Sequence, residues 1–312
     1  TLFNRGKTNP GLFPKLEKLQ GDRKVDLSVL KDRKWDGVVD TSGYLPSEVK
    51  KSAELLAPNV GQYVFISTIS VYGDQPTPDA DETAPVSTLP EPIKEEVTNA
   101  TYGALKALCE KAAEAAMPGR VTNLRPHLIV GPGDPTGRFT YWPVRVRKGG
   151  PVLAPNSPTD PIQFVDARDL AAFVVKTLED KAVGVYNVAT PSGEMTMGKL
   201  LESCNKVGGG KASLVWVDKD FLEAQKVGPW SEMPVWIPAF DENRGFGRAS
   251  VARAVKAGLG MRPLEATVRD TLAWYDALPA EAKERRLAGI KPEKEAEVLK
   301  AWAHEQEEHK HG

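Results

Sequence analysis

Tyr63-Val64-Phe65-Ile66-Ser67-Thr68-Ile69-Ser70-Val71-Tyr72-Gly73 opens as an apolar strand and breaks into hydroxyl-bearing loop residues; further on, Tyr102-Gly103-Ala104-Leu105-Lys106 opens a helical pattern. Working outward from this pair, the same alternation recurs. Trp35-Asp36-Gly37-Val38-Val39-Asp40 reads as a preceding strand and Val121-Thr122-Asn123-Leu124-Arg125 as a following one. Between them Pro46 to Leu56 reads as a helix, with Pro46 in its first turn and Val49, Ala53 and Leu56 on one face. The helix after Asn99 carries an apolar stripe of Ala104, Leu105, Leu108, Ala112 and Ala115. Strands alternating with helices predict an α/β fold, a doubly wound parallel sheet with helices on its faces.

The chain has 312 residues, 41% of them apolar, enough for a substantial core. Residues 1–133 form the expected sheet domain, whose cofactor-binding role is argued below. Beyond about Gly133, proline- and tryptophan-rich connections predict a smaller substrate lobe over 134–278, with 164–190 returning to the main sheet through a helix at Ala167 to Leu178 and a strand at Val185 to Val188. Pro263 to Tyr275 closes the fold as an amphipathic helix on Leu264, Val268 and Leu272. The charged stretch 279–312 is expected as a surface helix or arm.

Forty-one Lys and Arg against 42 Asp and Glu leave a net charge of −1. No basic surplus is present to neutralise the phosphates of a nucleic acid, so nucleic acid is not an expected partner. Cys109 and Cys204 are too few and too far apart for a disulfide framework and read as buried thiols. His304, His309 and His311 sit in the charged tail and read as a solvated end, so no metal site is expected. No apolar run spans a bilayer, and a cytoplasmic enzyme is the default expectation, although an upstream segment could have held an export signal.

Tyr102 and Lys106 stand at i and i+4, which places both side chains on one helix face. A tyrosine hydroxyl is a poor base near neutrality, but an adjacent ammonium group favours the phenolate, and an opposite charge shifts such a group by roughly 1 to 3 units. Tyr102 can then exchange protons, Thr68 can hydrogen-bond a substrate oxygen, and Lys106 can reach a cofactor ribose. A tyrosine and a lysine one turn apart also occur on ordinary amphipathic surfaces, so the context of the pair decides.

That context resembles the extended short-chain dehydrogenase/reductases, the NAD-dependent epimerase/dehydratase family, over about Thr1 to Tyr275. The segments that carry the resemblance are Phe65 to Gly73, Leu124-Arg125-Pro126-His127-Leu128-Ile129-Val130-Gly131-Pro132-Gly133-Asp134, and Phe164-Val165-Asp166-Ala167-Arg168-Asp169-Leu170-Ala171. The resemblance implies a Rossmann-like fold, catalytic positions at Thr68, Tyr102 and Lys106, and a nicotinamide beside Pro126 to Ile129, with His127 more a wall residue than a catalyst. It implies that Thr41-Ser42-Gly43 runs along the cofactor diphosphate and ribose, and that Asp22 and Arg23 fall at the adenine. It also implies a G-x-x-G-x-x-G turn, which has no match downstream of Thr1. Gly208-Gly209-Gly210 reads as a loop, so the expectation is that a first β-α unit precedes Thr1 in the protein.

At the end of the first strand no acid stands where one would bind the ribose 2′-hydroxyl of NAD. Asn4-Arg5 supplies a neutral group and a guanidinium suited to phosphate, so NADP is the preferred cofactor, with NAD the other option. Ile69 and Ser70 occupy the positions that sugar 4,6-dehydratases of this family fill with an Asp-Glu pair. That leaves hydride transfer at a carbinol or ketone carbon, either as a net oxidation or reduction or as epimerisation. A sugar-like or nucleotide-sugar-like substrate is expected, with Arg138, Tyr141, Trp142 and Gln163 as candidate contacts and Pro229 to Trp236 as a lid. The resemblance leaves the oligomeric state open, with a homodimer as one option because members of the family often dimerise. The alternative is a noncatalytic cofactor-sensing or RNA-binding member of the same fold.

Overall fold

The computed structural model describes residues 1–75, 77–284 and 287–311, while the side chains of Asp241, Glu284, His309, Lys310 and His311 stand outside that description. In chain order the strands and helices are β1 Leu2–Asn4, β2 Lys18–Gln20, β3 Trp35–Asp40, α1 Pro46–Leu56, β4 Val60–Ile66, α2 Tyr102–Ala116 and β5 Val121–Pro126. They continue as β6 Leu128–Val130, α3 Arg138–Arg147, β7 Gly150–Pro155, β8 Phe164–Asp166, α4 Ala167–Glu179, β9 Gly184–Val188, α5 Met197–Gly208 and β10 Ala212–Val217. The remainder is helical: α6 Lys219–Ala224, α7 Ala252–Lys256, α8 Leu264–Asp276, α9 Ala280–Glu284 and α10 Pro292–His311. The chain divides into two compact units, the first of residues 1–73, 84–125 and 174–186, the second of 74–83, 126–173 and 187–312.

The principal sheet has the strand order β3-β4-β5-β9. β3 and β4 pair parallel with Val38 opposite Tyr63, and β4 and β5 pair parallel with Val64 opposite Thr122. β1 and β2 form a separate parallel pair in the first unit. In the second unit β6 pairs with β8 and β7 with β10, again parallel. The α/β architecture read from the alternating pattern is therefore the one observed.

In the first unit α1 starts at Pro46, whose fixed φ suits a first turn, and buries Val49, Ala53 and Leu56 against Tyr63, Phe65, Cys109 and Val121. α2 differs from its predicted stripe. Ala115 is exposed and Leu108 and Ala112 are half-buried, whereas the buried face takes in Ala104, Leu105, Lys106, Ala107, Cys109, Glu110 and Ala113. The polar residues enter the interior because each finds a partner there, as described below.

In the second unit one core joins Phe139, Trp142, Leu153, Ile162, Met197, Leu200, Met233, Trp236 and Val268. The segment read as a lid belongs to this core. Met233, Val235 and Trp236 are buried, the Trp236 indole donates to Asp160 Oδ2 at 2.6 Å, and the carbonyl of Pro234 accepts from Trp142 at 2.7 Å. The charged tail is likewise docked on one face rather than free. Val298 of α10 is buried, and Glu295 accepts from Arg145 Nε at 2.6 Å and from the Leu153 amide at 3.1 Å. In the tail, His304 faces Glu308 at 3.6 Å, and the side chains of His309 and His311 lie outside the described ones. Gly209, at φ 103°, caps the C-terminus of α5, a left-handed position that glycine adopts without strain.

Candidate active site

In the first unit β4 delivers Thr68 to the sheet end. Thr68 is buried and caps the following 3-10 turn, Ile69–Tyr72, by accepting the Ser70 amide at 3.1 Å. Gly103 then lets α2 approach: a β-carbon there would lie 2.0 Å from the Ser70 carbonyl oxygen. Only glycine admits this contact, and it brings the opening turn of α2, which Tyr102 starts, against the Thr68 loop. Tyr102 is half-buried, with its ring 6.5 Å from that of Tyr44.

Lys106, one turn further, is 3% exposed. Its Nζ donates to the carbonyls of Gly43 at 2.8 Å and Ile66 at 2.7 Å, and lies 4.2 Å from the Phe65 ring centroid and 5.5 Å from that of Tyr44. Burial lowers this ammonium to about 8, against the pull of Cys109, Asp40 and Glu110. Thr68, Tyr102, Lys106 and the Thr41 to Gly43 loop thus belong to one neighbourhood. Thr41 and Ser42 are exposed and Gly43 is buried, with no room for a side chain between Phe65 and Val49.

The remaining first-unit candidates divide. Asn4 and Arg5 are exposed at the end of β1, where Asn4 Oδ1 accepts the Gly6 amide at 2.8 Å. Asp22 is half-buried and turns its own loop by accepting the Lys24 amide at 3.0 Å. The Arg23 guanidinium is not a solvated loop charge: it forms a bidentate pair with Asp40, at 2.7 and 2.9 Å.

Two groups were not singled out from the sequence. Asp40 ends β3 as a buried carboxylate, and against the cost of burial Arg23 holds it below the usual range. Glu110, one turn beyond Lys106, makes a buried bidentate pair with Arg125 at 2.6 and 2.9 Å, and Arg125 also donates to Tyr72 Oη at 2.7 Å. The available signals were an acid closing a β-branched strand and a Glu continuing the i, i+4 series of Tyr102 and Lys106.

The second unit holds the other candidates. Pro126 and His127 are buried and Ile129 is 39% exposed. His127 Nδ1 accepts the Leu128 amide at 3.0 Å, Nε2 has no hydrogen-bond partner among the described residues, and the ring meets Phe246 edge-on at 5.0 Å. Burial lowers the imidazole to about 4, which favours the neutral ring. Arg138 is half-buried, with its guanidinium 5.0 Å from the Trp230 ring.

Tyr141, Trp142 and Gln163 are buried. Trp142 is fully buried, with its indole on the Pro234 carbonyl. Gln163 is fully engaged, donating to the carbonyls of Thr190 and Ala249 and accepting the Ala249 amide. Tyr141 packs edge-on to Trp142 at 4.9 Å, and burial raises its hydroxyl. Tyr141 and Trp142 thereby join the core of the second unit, where large aromatic surfaces gain by leaving water, and Gln163 is held in the interior by its hydrogen bonds. Among the described residues no group of three His, Cys, Asp or Glu could hold a metal ion, and no helix is long and apolar enough to cross a membrane.

A search of curated proteins gives no match. Solved structures give many. The Bordetella bronchiseptica enzyme WbmH in complex with NAD+ shares 16% identity over 88% of this chain and 89% of its own, with TM-score 0.61. WbmG from the same organism, in complex with NAD, shares 19% over 88% and 84%, with TM-score 0.59. UDP-glucuronic acid 4-epimerase from Bacillus cereus, in complex with NAD, shares 17% over 85% and 82%, with TM-score 0.57. At these identities the likeness is one of fold. Residues 49–189 match the family model described as "NAD dependent epimerase/dehydratase family", a span that contains Thr68, Tyr102 and Lys106. Residues 49–189 thus resemble the NAD-dependent epimerase/dehydratase family, and the chain shares the fold of these solved structures.

Proposed function

We propose that the protein is a nicotinamide-dependent oxidoreductase or epimerase that transfers a hydride at a carbinol or ketone carbon of a sugar nucleotide. The observation that carries this reading is the buried Lys106 ammonium, one helical turn from Tyr102 and held between two loop carbonyls. A core does not bury a lysine without a reason, and a lysine lowered to about 8 by burial, one helical turn from a tyrosine, suits acid-base chemistry.

The residues fit a dinucleotide. Lys106 offers a cation at the loop 41–43, and Gly43 leaves that loop flush with the sheet end. When bound, the nicotinamide ring supplies the hydride acceptor or donor. Tyr102 exchanges a proton with the substrate oxygen at its Oη, Thr68 orients that oxygen through Oγ1, and Lys106 favours the phenolate form of Tyr102 and hydrogen-bonds ribose hydroxyls. In the second unit, Pro126 to Ile129 remain the candidates for nicotinamide contact and Arg138 a candidate for substrate contact. Residues 1–133 form the cofactor-binding part and 134–278 the substrate lobe. Support for the substrate class comes from the Bacillus cereus neighbour, an epimerase of a UDP-sugar.

The preference for NADP over NAD rests on Arg5, exposed after β1 beside an Asn4 whose side chain turns back on the chain. Titration of the purified protein with NADPH and NADH, for wild type, Arg5→Glu and Tyr102→Phe, tests the cofactor site. Dinucleotide binding that survives Tyr102→Phe supports it, and weaker NADPH binding in Arg5→Glu supports the phosphate preference. Turnover is then assayed with UDP-sugars. A protein that binds neither cofactor is not a dehydrogenase as it stands.

A further inference from the structure

We propose that Arg23 and Asp40 act together as positioning residues for Lys106, fixing the loop whose carbonyl that lysine grips; this rests on the role given to Lys106 above. The Asp40 carboxylate is saturated. Oδ1 accepts Arg23 Nη1 at 2.7 Å and the Ser42 amide at 3.1 Å, while Oδ2 accepts Arg23 Nη2 at 2.9 Å and Tyr63 Oη at 2.6 Å. Arg23 is in turn held by Ser52 Oγ at 3.1 Å and the Glu48 carbonyl at 3.4 Å, both on α1. The 41–43 loop is therefore fastened at its start by Asp40 and at its end by Lys106, through the Gly43 carbonyl. A β-carbon on Gly43 would stand 3.1 Å from Asp40 Oδ2, so carboxylate and loop are packed against each other.

A buried ion pair is poor value as a source of stability, because desolvation offsets the attraction and apolar pairs of similar volume do as well. Its use here is geometric and electrostatic. The charged and titratable groups that face Lys106 are Asp40 from the end of β3, Arg23 from the loop before it, and Cys109 and Glu110 on α2, with the Tyr44 and Tyr102 rings nearby. Asp40 favours the ammonium form and Arg23, more weakly, opposes it. The pair keeps Lys106 charged near neutrality despite its burial, and Arg23 is thereby a residue of the loop's architecture instead of an adenine contact.

The test is a pH titration of the full chain carrying ¹³Cε-labelled lysine, followed by NMR, with Lys106 assigned through Lys106→Arg. Asp40→Asn is expected to move the Lys106 midpoint down and Arg23→Gln up, each by about half a unit or more, while Arg23→Lys, which keeps the charge, leaves it near the wild-type value. A Lys106 midpoint indifferent to both Asp40→Asn and Arg23→Gln in folded protein overturns the proposal. Should the single variants not fold, the neutral pair Arg23→Gln with Asp40→Asn leaves no unpaired charge. It is expected to show faster exchange of the Ser42 amide, and unchanged exchange would overturn the proposal. NADPH and NADH titrations run alongside. Opposite Lys106 shifts in a protein that binds no dinucleotide uphold this inference and sink the dehydrogenase reading, whereas dinucleotide binding with an indifferent Lys106 does the reverse.

Discussion

The opening turns of α2 and α3 both carry residues read from the sequence as functional candidates, Tyr102 and Lys106 in one and Arg138, Tyr141 and Trp142 in the other, and the structure treats them in opposite ways. At α2 the buried face includes the charged Lys106, whose interior position costs free energy. At α3 it includes Trp142, with its neighbour Phe139, whose interior positions lower free energy. Burial of a tryptophan needs no functional explanation because the hydrophobic effect supplies one. Burial of a lysine does need one, and the two carbonyls that hold it are those of Gly43, in the loop after β3, and Ile66, at the end of β4. The sign of the burial energy separates the two helices better than the kinds of residue they carry.

The most severe way to break this contrast is Tyr102→Phe. If α2 carries the proton transfer, kcat for a competent substrate falls about 10³-fold, the usual weight of a positioned acid-base group, while NADPH or NADH affinity stays within about threefold. The readout is single-turnover nicotinamide absorbance beside equilibrium binding. Loss of both together would make Tyr102 a packing residue like those of α3.

The converse variant is Trp142→Ala, expected to cost about 3–5 kcal/mol of stability through the cavity it leaves and the unanswered Pro234 carbonyl. Chemical denaturation measures it. A variant as stable as wild type but with a raised KM would return Trp142 to the substrate role read from the sequence. The burial of Trp142 was not legible locally, for a physical reason. Strands β3, β4, β5 and β9, α1 and the i, i+4 spacing of Tyr102 and Lys106 follow from local periodicity and were legible. Whether Tyr141, Trp142 and Gln163 face a ligand depends on partners far along the chain, such as Pro234, Gly289 and Ala249, that no local pattern announces. The same holds for Arg23 and Asp40, seventeen residues apart, whose pairing is a tertiary fact.

Lys106→Met sharpens the contrast by pH. Because Lys106 has its proton affinity lowered from 10.5 to about 8 in the folded chain, the unfolded chain binds more protons between those values. Stability from this group is therefore complete above pH 10.5 and is lost as pH falls through 8, so folded protein near neutrality carries the cost. The wild type is expected to gain on the order of 2 kcal/mol relative to Lys106→Met between pH 8 and 10.5, with the variant inactive throughout. Denaturation of both proteins across that range checks it, and parallel curves would show that Lys106 is not the strained group proposed.

The smallest effect tests the one residue of α3 that the contrast leaves undecided. Arg138 stacks on Trp230 at 5.0 Å, and a half-exposed stacking of this kind contributes about 0.5–1 kcal/mol. Arg138→Ala is therefore expected to lower the unfolding free energy by no more than about 1 kcal/mol, since the indole keeps its packing against Phe246 at 5.6 Å. If the guanidinium also meets an anionic substrate group, KM for a UDP-sugar rises about tenfold while kcat holds, the signature of binding lost equally from ground and transition states. A KM unmoved, with only the stability change, would place Arg138 with Trp142 among the residues that α3 contributes to packing, and the contrast between the two helices would then be complete.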